Sequence, residues 1–211
     1  MRREPAMTAD EAYQWLIAAS AGSRHDRFDV HVVAAIFALA ISEAGDNRTV
    51  AQGVGLERGA IMQLGAEMFP GAVPRLSEMV DDTTLEVDEE EQSLRDILGM
   101  FATGASQLEH YFVAMIARRC ASPHHLWQDL GLHDRHELSV LMQRHFVRLA
   151  DKNRQDMKWK KFLYRMVCGS EGFTLCTSPV CSECDDFKNC FGAEDGESRL
   201  ARARNAPPVA A

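Results

Sequence analysis

Apolar residues recur along this chain at the three- and four-residue spacing of helices, and no segment shows the strict alternation of a half-buried strand. Thr8-Ala9-Asp10-Glu11 has the form of a capping box, and Ala12, Trp15, Leu16 and Ala19 follow on one helical face. Phe28 to Ala44 is apolar on nearly every side, which predicts the central helix of a bundle rather than a surface helix. Gly45-Asp46-Asn47 ends it. Thr49 to Gln52 offers a second cap, and Ile61, Leu64, Met68 and Phe69 form the face of a helix stopped by Pro70-Gly71. Residues 71 to 92 read as a loop whose acidic run, Asp88 to Glu91, feeds the N-terminus of the next helix, where negative charge is favoured. Leu94, Ile97, Leu98 and Phe101 make the stripe of that helix.

Further along, Ser106 and Glu109 suggest another capping box ahead of Leu108, Tyr111, Phe112, Met115 and Ile116. A short helix after Pro123 closes at Gly131, and Asp134 with Glu137 caps a helix burying Leu138, Leu141, Met142 and Phe146. The last helix is predicted from about Asp151 to Cys168, with Trp159, Phe162, Leu163 and Met166 inward and Lys158, Lys160, Lys161 and Arg165 outward. The expected fold is all-α: a single bundle-like helical domain over 8–168, a cysteine-rich metal-binding loop over 169–194, and a disordered tail over 195–211.

Length and charge narrow the function. The 211 residues suffice for one substantial core. A formal charge of −8 argues against holding nucleic acid by phosphate neutralisation. The longest apolar run, Val32 to Ile41, is too short to span a bilayer. No apolar export segment follows Met1-Arg2-Arg3, so the expected setting is cytoplasmic and reducing, where cysteines act as ligands or redox groups rather than as a disulfide framework. No Ser-His-Asp or Cys-His nucleophile and no catalytic carboxylate pair is legible, so the chain does not read as an enzyme.

Candidate chemistry concentrates in Cys176, Cys181, Cys184 and Cys190, spaced C-x4-C-x2-C-x5-C. Structural zinc sites usually present two C-x2-C pairs separated by a longer insert; here only Cys181 and Cys184 form such a pair, and no glycine lies between Cys176 and Cys190. Four-cysteine zinc remains sterically open. A cuboidal iron–sulfur type core, wrapped by one loop with short gaps, suits the spacing better, and soft thiolates also suit molybdenum held through sulfur. Glu183, Asp185 and Asp186 add negative charge opposed within the loop only by Lys188, a setting that lowers the reduction potential of a cluster.

This run, followed at once by Phe191-Gly192-Ala193-Glu194, resembles the hallmark of the NifQ family of nitrogen-fixation proteins. The likeness extends upstream through His124-His125-Leu126-Trp127-Gln128-Asp129-Leu130-Gly131-Leu132, Arg144-His145-Phe146, and Asn153 with Met157 to Phe162 and Cys168. The resemblance implies a molybdenum–iron–sulfur protein that donates molybdenum for the nitrogenase iron–molybdenum cofactor. It also implies two partners, the cofactor-assembly scaffold and the nitrogenase iron protein, with Cys176, Cys181, Cys184 and Cys190 as the cluster ligands. Two other readings of the residues stand beside it: an iron–sulfur electron-transfer protein, and a zinc-stabilised helical interaction module.

Further candidates surround the loop. Cys168 is either a fifth sulfur donor or a small apolar residue packing a helix end, and Cys120 reads as structural. His124 and His125 are additional ligands or a hydrogen-bonded pair fixing the turn before Trp127. His145, between Arg144 and Arg148, reads as an exposed residue or as one that supports a ligand. Trp127, Trp159 and Phe162 either screen a cluster from water or are plain core. The basic set Lys158, Lys160, Lys161 and Arg165 either attracts molybdate or an acidic partner, or is an ordinary outer helix face.

Overall fold

The computed structural model describes residues 7–45, 48–170, 194 and 196–201. The elements are α1 (Ala9–Ala19), α2 (Arg27–Glu43), α3 (Val50–Val54), α4 (Arg58–Met68), α5 (Val73–Met79), α6 (Glu89–Phe101), α7 (Leu108–Cys120), α8 (Leu126–Asp129), α9 (Arg135–His145), α10 (Val147–Ala150) and α11 (Trp159–Ser170). Among the described residues there is no strand, only an isolated bridge between Gly45 and Arg48, so this part of the chain is all-α as its periodicity predicts.

The body is built around α2. Val32 to Ala40 are each exposed by 2% or less, because α1 and α3 pack on this helix while α7, α9 and the turn after α8 also reach it. A helix enclosed in this way has no solvent face to make polar, which accounts for its lack of amphipathic pattern. Approach is close enough to demand glycine. A Cβ at Gly53 on α3 would lie 2.9 Å from the Ala40 Cβ, and one at Gly131 (φ +75°) would lie 3.0 Å from the Ala35 carbonyl oxygen.

Sequence-encoded caps hold the helix starts. Thr8 and Thr49 each accept from the third helical amide while Glu11 and Gln52 reach back, completing both expected boxes. Asp134 accepts from the Glu137 amide, as predicted. The third expected box does not form: Ser106 Oγ accepts from Leu108 N, and buried Glu109 turns away to accept from the amides of Thr103 and Gly104 and from the Thr103 hydroxyl.

Three segments differ from the sequence expectation. Residues 71 to 92 are not all loop: a 3-10 turn, Pro70–Ala72, leads into α5, whose start is favoured by Pro74 and whose anchor is the buried Leu76. The last helix begins at Trp159 rather than Asp151. Asn153 accepts from Met157 N and donates to Met157 O, both at 2.9 Å, and this local clamp competes with helical bonding. Residues 196–201, expected within a disordered tail, pack against the body, with Leu200 and Ser198 buried.

Candidate functional site

α8 is one turn long, yet it carries a carboxylate with no exposed surface. Asp129 accepts from His124 N at 3.1 Å and from Lys160 Nζ at 2.6 Å, and lies 3.0 Å from His124 Nδ1 and 3.5 Å from Arg199 Nη1. Leu126, Trp127 and Leu130 bury the turn and fix where this carboxylate points. A charge taken out of water at such a position is tolerable only when paired and hydrogen-bonded, and here it is both.

Arg199 joins this group to a second one at the end of α2. Glu43 receives Arg119 at 3.1 and 2.8 Å, Arg48 at 3.1 Å and Arg199 at 2.6 Å. Burial pushes the Glu43 carboxyl up, but the guanidinium groups of Arg119 and Arg199 outweigh it and hold it below its ordinary value. Arg119 is itself fully buried and also donates to the Ile36 carbonyl. Among the described residues, the connected network sets four cations (Arg48, Arg119, Arg199, Lys160) against two carboxylates (Glu43, Asp129).

The network holds both flanks of the cysteine segment. On one side, Lys160 ties α11 to Asp129, and α11 runs on to Ser170. On the other, the Glu194 side chain, 3% exposed, lies 3.7 Å from His125 Nδ1 and 3.8 Å from Arg135 Nε. Gln128 Nε2 then donates to the Glu197 carbonyl at 3.0 Å. Gly196 (φ +149°) meets the same side chain, since a Cβ there would lie 2.4 Å from Gln128 Nε2.

Cys176, Cys181, Cys184 and Cys190 themselves lie outside the described residues. Cys168 is on α11, partly exposed and two residues from its last one. Cys120 is buried at the end of α7, and burial pushes its thiol up to about 12, so it is a packed neutral thiol. His124 and His125 are both brought to the anchor; the His124 side chain is 44% exposed with Nδ1 engaged by Asp129. His145 is not brought there. It is buried on α9 with Nε2 3.0 Å from Asp29, fourteen residues before Glu43 on α2, or roughly 21 Å along the helix.

Trp127, Trp159 and Phe162 are buried core. Of the basic set expected outward, Lys161 and Arg165 are exposed, whereas Lys160 turns in. The sequence reading missed Asp129, Glu43, Arg119, Arg199 and Glu194 as a group. The available signal was weak: a charged residue within an apolar run, as at Asp129 between Trp127 and Leu130, or Arg119 beside Ala117 and Cys120.

Fold and site together define a helical protein in which residues before and after a four-cysteine run, Lys160 and Arg199, meet at one buried carboxylate. The chain belongs to the NifQ family, whose model matches residues 32–192 and so includes all four cysteines. It is 37% identical to a Protein NifQ homolog of Sinorhizobium fredii over 81% of this chain and 75% of that one. It is also 37% identical to Protein NifQ of Azotobacter vinelandii over 56% of this chain and 60% of that one. With Protein NifQ of Klebsiella pneumoniae the identity is 41%, over 46% and 59%. No solved structure matches the chain. No helix among the described residues is long and apolar enough to cross a membrane.

Proposed function

We propose that this protein carries a molybdenum–iron–sulfur cluster on Cys176, Cys181, Cys184 and Cys190 and donates molybdenum for biosynthesis of the nitrogenase iron–molybdenum cofactor. Membership of the NifQ family supports the coarser part of the reading, a role in nitrogen fixation and molybdenum handling. The single observation that carries the finer part is the C-x4-C-x2-C-x5-C run within the family match. Four soft thiolates fit a sulfide-bridged metal core as donors. Glu183, Asp185 and Asp186 add negative charge to the thiolates, and a highly charged metal core compensates for it.

In this reading the cluster is cargo and the protein is a carrier, not an enzyme, that works in the cytoplasm. The receiving partners are the cofactor-assembly scaffold and the nitrogenase iron protein. His124 is the better suited of the two histidines to add a nitrogen donor. Asp129 holds its Nδ1, the arrangement by which a carboxylate orients a metal-binding imidazole, and leaves Nε2 for a metal.

The test is iron, acid-labile sulfide and molybdenum analysis of anaerobically purified protein. All three elements are expected, with iron and sulfide lost on replacing any of the four cysteines by alanine. Zinc alone would overturn the proposal in favour of a zinc-stabilised helical module. Iron and sulfide without molybdenum, with a reversible redox couple, would favour electron transfer.

A further inference from the structure

We propose that His31, His133 and Glu137 form a second metal site, one that binds a divalent first-row transition ion of the zinc or iron(II) type. The three residues come from α2, the turn ahead of α9 and the first turn of α9, so the fold brings them together from distant positions. One ligand atom from each lies within 4.8 Å of the others. His31 Nε2 and Glu137 Oε2 are 3.2 Å apart. A tetrahedral ion with bonds of about 2.0–2.2 Å separates neighbouring donors by roughly 3.3–3.6 Å, so this edge of the site is close to its bound length.

The third donor is the adjustable one. The His133 ring stacks on that of His31 at 5.3 Å and 7° from parallel, and its side chain is exposed, so a turn of the ring closes the triangle without moving the core. The Glu137 carboxylate is oriented independently, because Oε2 accepts from the His133 amide at 2.8 Å.

Tyr13 supplies a separate indication. Its hydroxyl lies 2.8 Å from His31 Nδ1, the ring nitrogen that does not face Glu137. Metal binding at Nε2 requires the proton of a neutral imidazole to sit on Nδ1. A tyrosine hydroxyl both donates and accepts, so it bonds Nδ1 in either tautomer, and the ring converts to its ligating form without losing a partner. Two imidazoles and one carboxylate suit zinc, iron(II) or cobalt(II) rather than magnesium or calcium, and a three-ligand set leaves a position for water. On α2, His31 lies twelve residues, or roughly 18 Å, from Glu43, while His133 and Glu137 flank Arg135, whose Nε lies 3.8 Å from Glu194.

The decisive experiment uses the full-length protein with Cys176, Cys181, Cys184 and Cys190 replaced by serine, so that the loop thiolates do not compete. Zinc is titrated by calorimetry, and cobalt(II) serves as the spectroscopic probe. The expected result is one ion per chain, with cobalt d–d bands and no thiolate charge-transfer absorption. His133→Ala and the near-isosteric Glu137→Gln should each weaken binding at least about tenfold. His124→Ala should leave it unchanged. Absence of binding, or binding that neither His133→Ala nor Glu137→Gln weakens, overturns the proposal. Its failure leaves the cluster-carrier reading untouched, since no loop thiol takes part.

Discussion

Asp129 keeps its charge out of water because four groups converge on it, and the consequences are local and large. Removing one partner of a buried ion pair leaves the other uncompensated, which costs about 3–5 kcal/mol. Asp129→Ala is therefore expected to lower unfolding stability by about that amount, read from urea titration at neutral pH. Glu43 and Asp29 make a pH prediction of known sign. Burial raises both, but Arg119 and Arg199 at Glu43, and His145 and Arg144 at Asp29, bring them below their ordinary 4.5 and 3.8. A carboxylate depressed by folding contributes stability that is complete above its unfolded value and is lost as pH falls through the folded one. Their contribution should thus be intact at neutral pH and decline progressively on acidification below about pH 5, with Glu43→Gln showing a shallower decline in acid unfolding.

At the scale of elements, α11 is held by one inward lysine among outward ones. Lys160→Ala should destabilise the protein by about 1–3 kcal/mol, because it removes the shortest ion pair of buried Asp129 and leaves His124 and Arg199 to hold it, whereas Lys161→Ala on the exposed side should fall within about 0.5 kcal/mol. Thermal unfolding of the two variants separates them. The stop of α8 is equally specific. Gly131→Ala puts a Cβ 3.0 Å from the Ala35 carbonyl oxygen and forces a left-handed conformation (φ +75°) on an L-residue. The backbone alone costs about 1–2 kcal/mol, and the contact adds to it. The same variant presses on α2 and shifts the turn that positions Asp129, so loss of stability and loosening at Gln128–Glu197 should appear together in amide exchange.

For the molecule as a whole, the proposed function predicts that the helical body and the cysteine segment perform separable tasks. Among the described residues, the core around α2 and the Glu43–Arg199–Asp129 network are built by the helices and residue 199. Serine in place of all four should abolish iron and sulfide binding, yet leave far-UV circular dichroism unchanged and the unfolding midpoint of the apo protein nearly so. The carrier role proposed above requires that outcome, since a scaffold must persist when its cargo leaves. Among the described residues, the network gathers positive charge in a chain whose net charge is −8.

Patterns made by neighbours along the chain were legible without coordinates. Helical periodicity identified α2 as a buried helix, the Thr8, Thr49 and Asp134 caps encoded three starts, and the thiol run with its neighbours pointed to the NifQ family, because each depends on residues within a turn or two. Side-chain competition within a short segment was already harder to read: Glu109 bonded backward to Thr103 instead of forming a box, and Asn153 broke a helix that its flanks support. Only the tertiary structure decided that Lys160 faces in, that residue 199 closes a network begun at residue 43, and that His31 meets His133 and Glu137. The physical reason is that a charge is buried only where opposite charge arrives from elsewhere in the chain, and periodicity carries no information about that arrival.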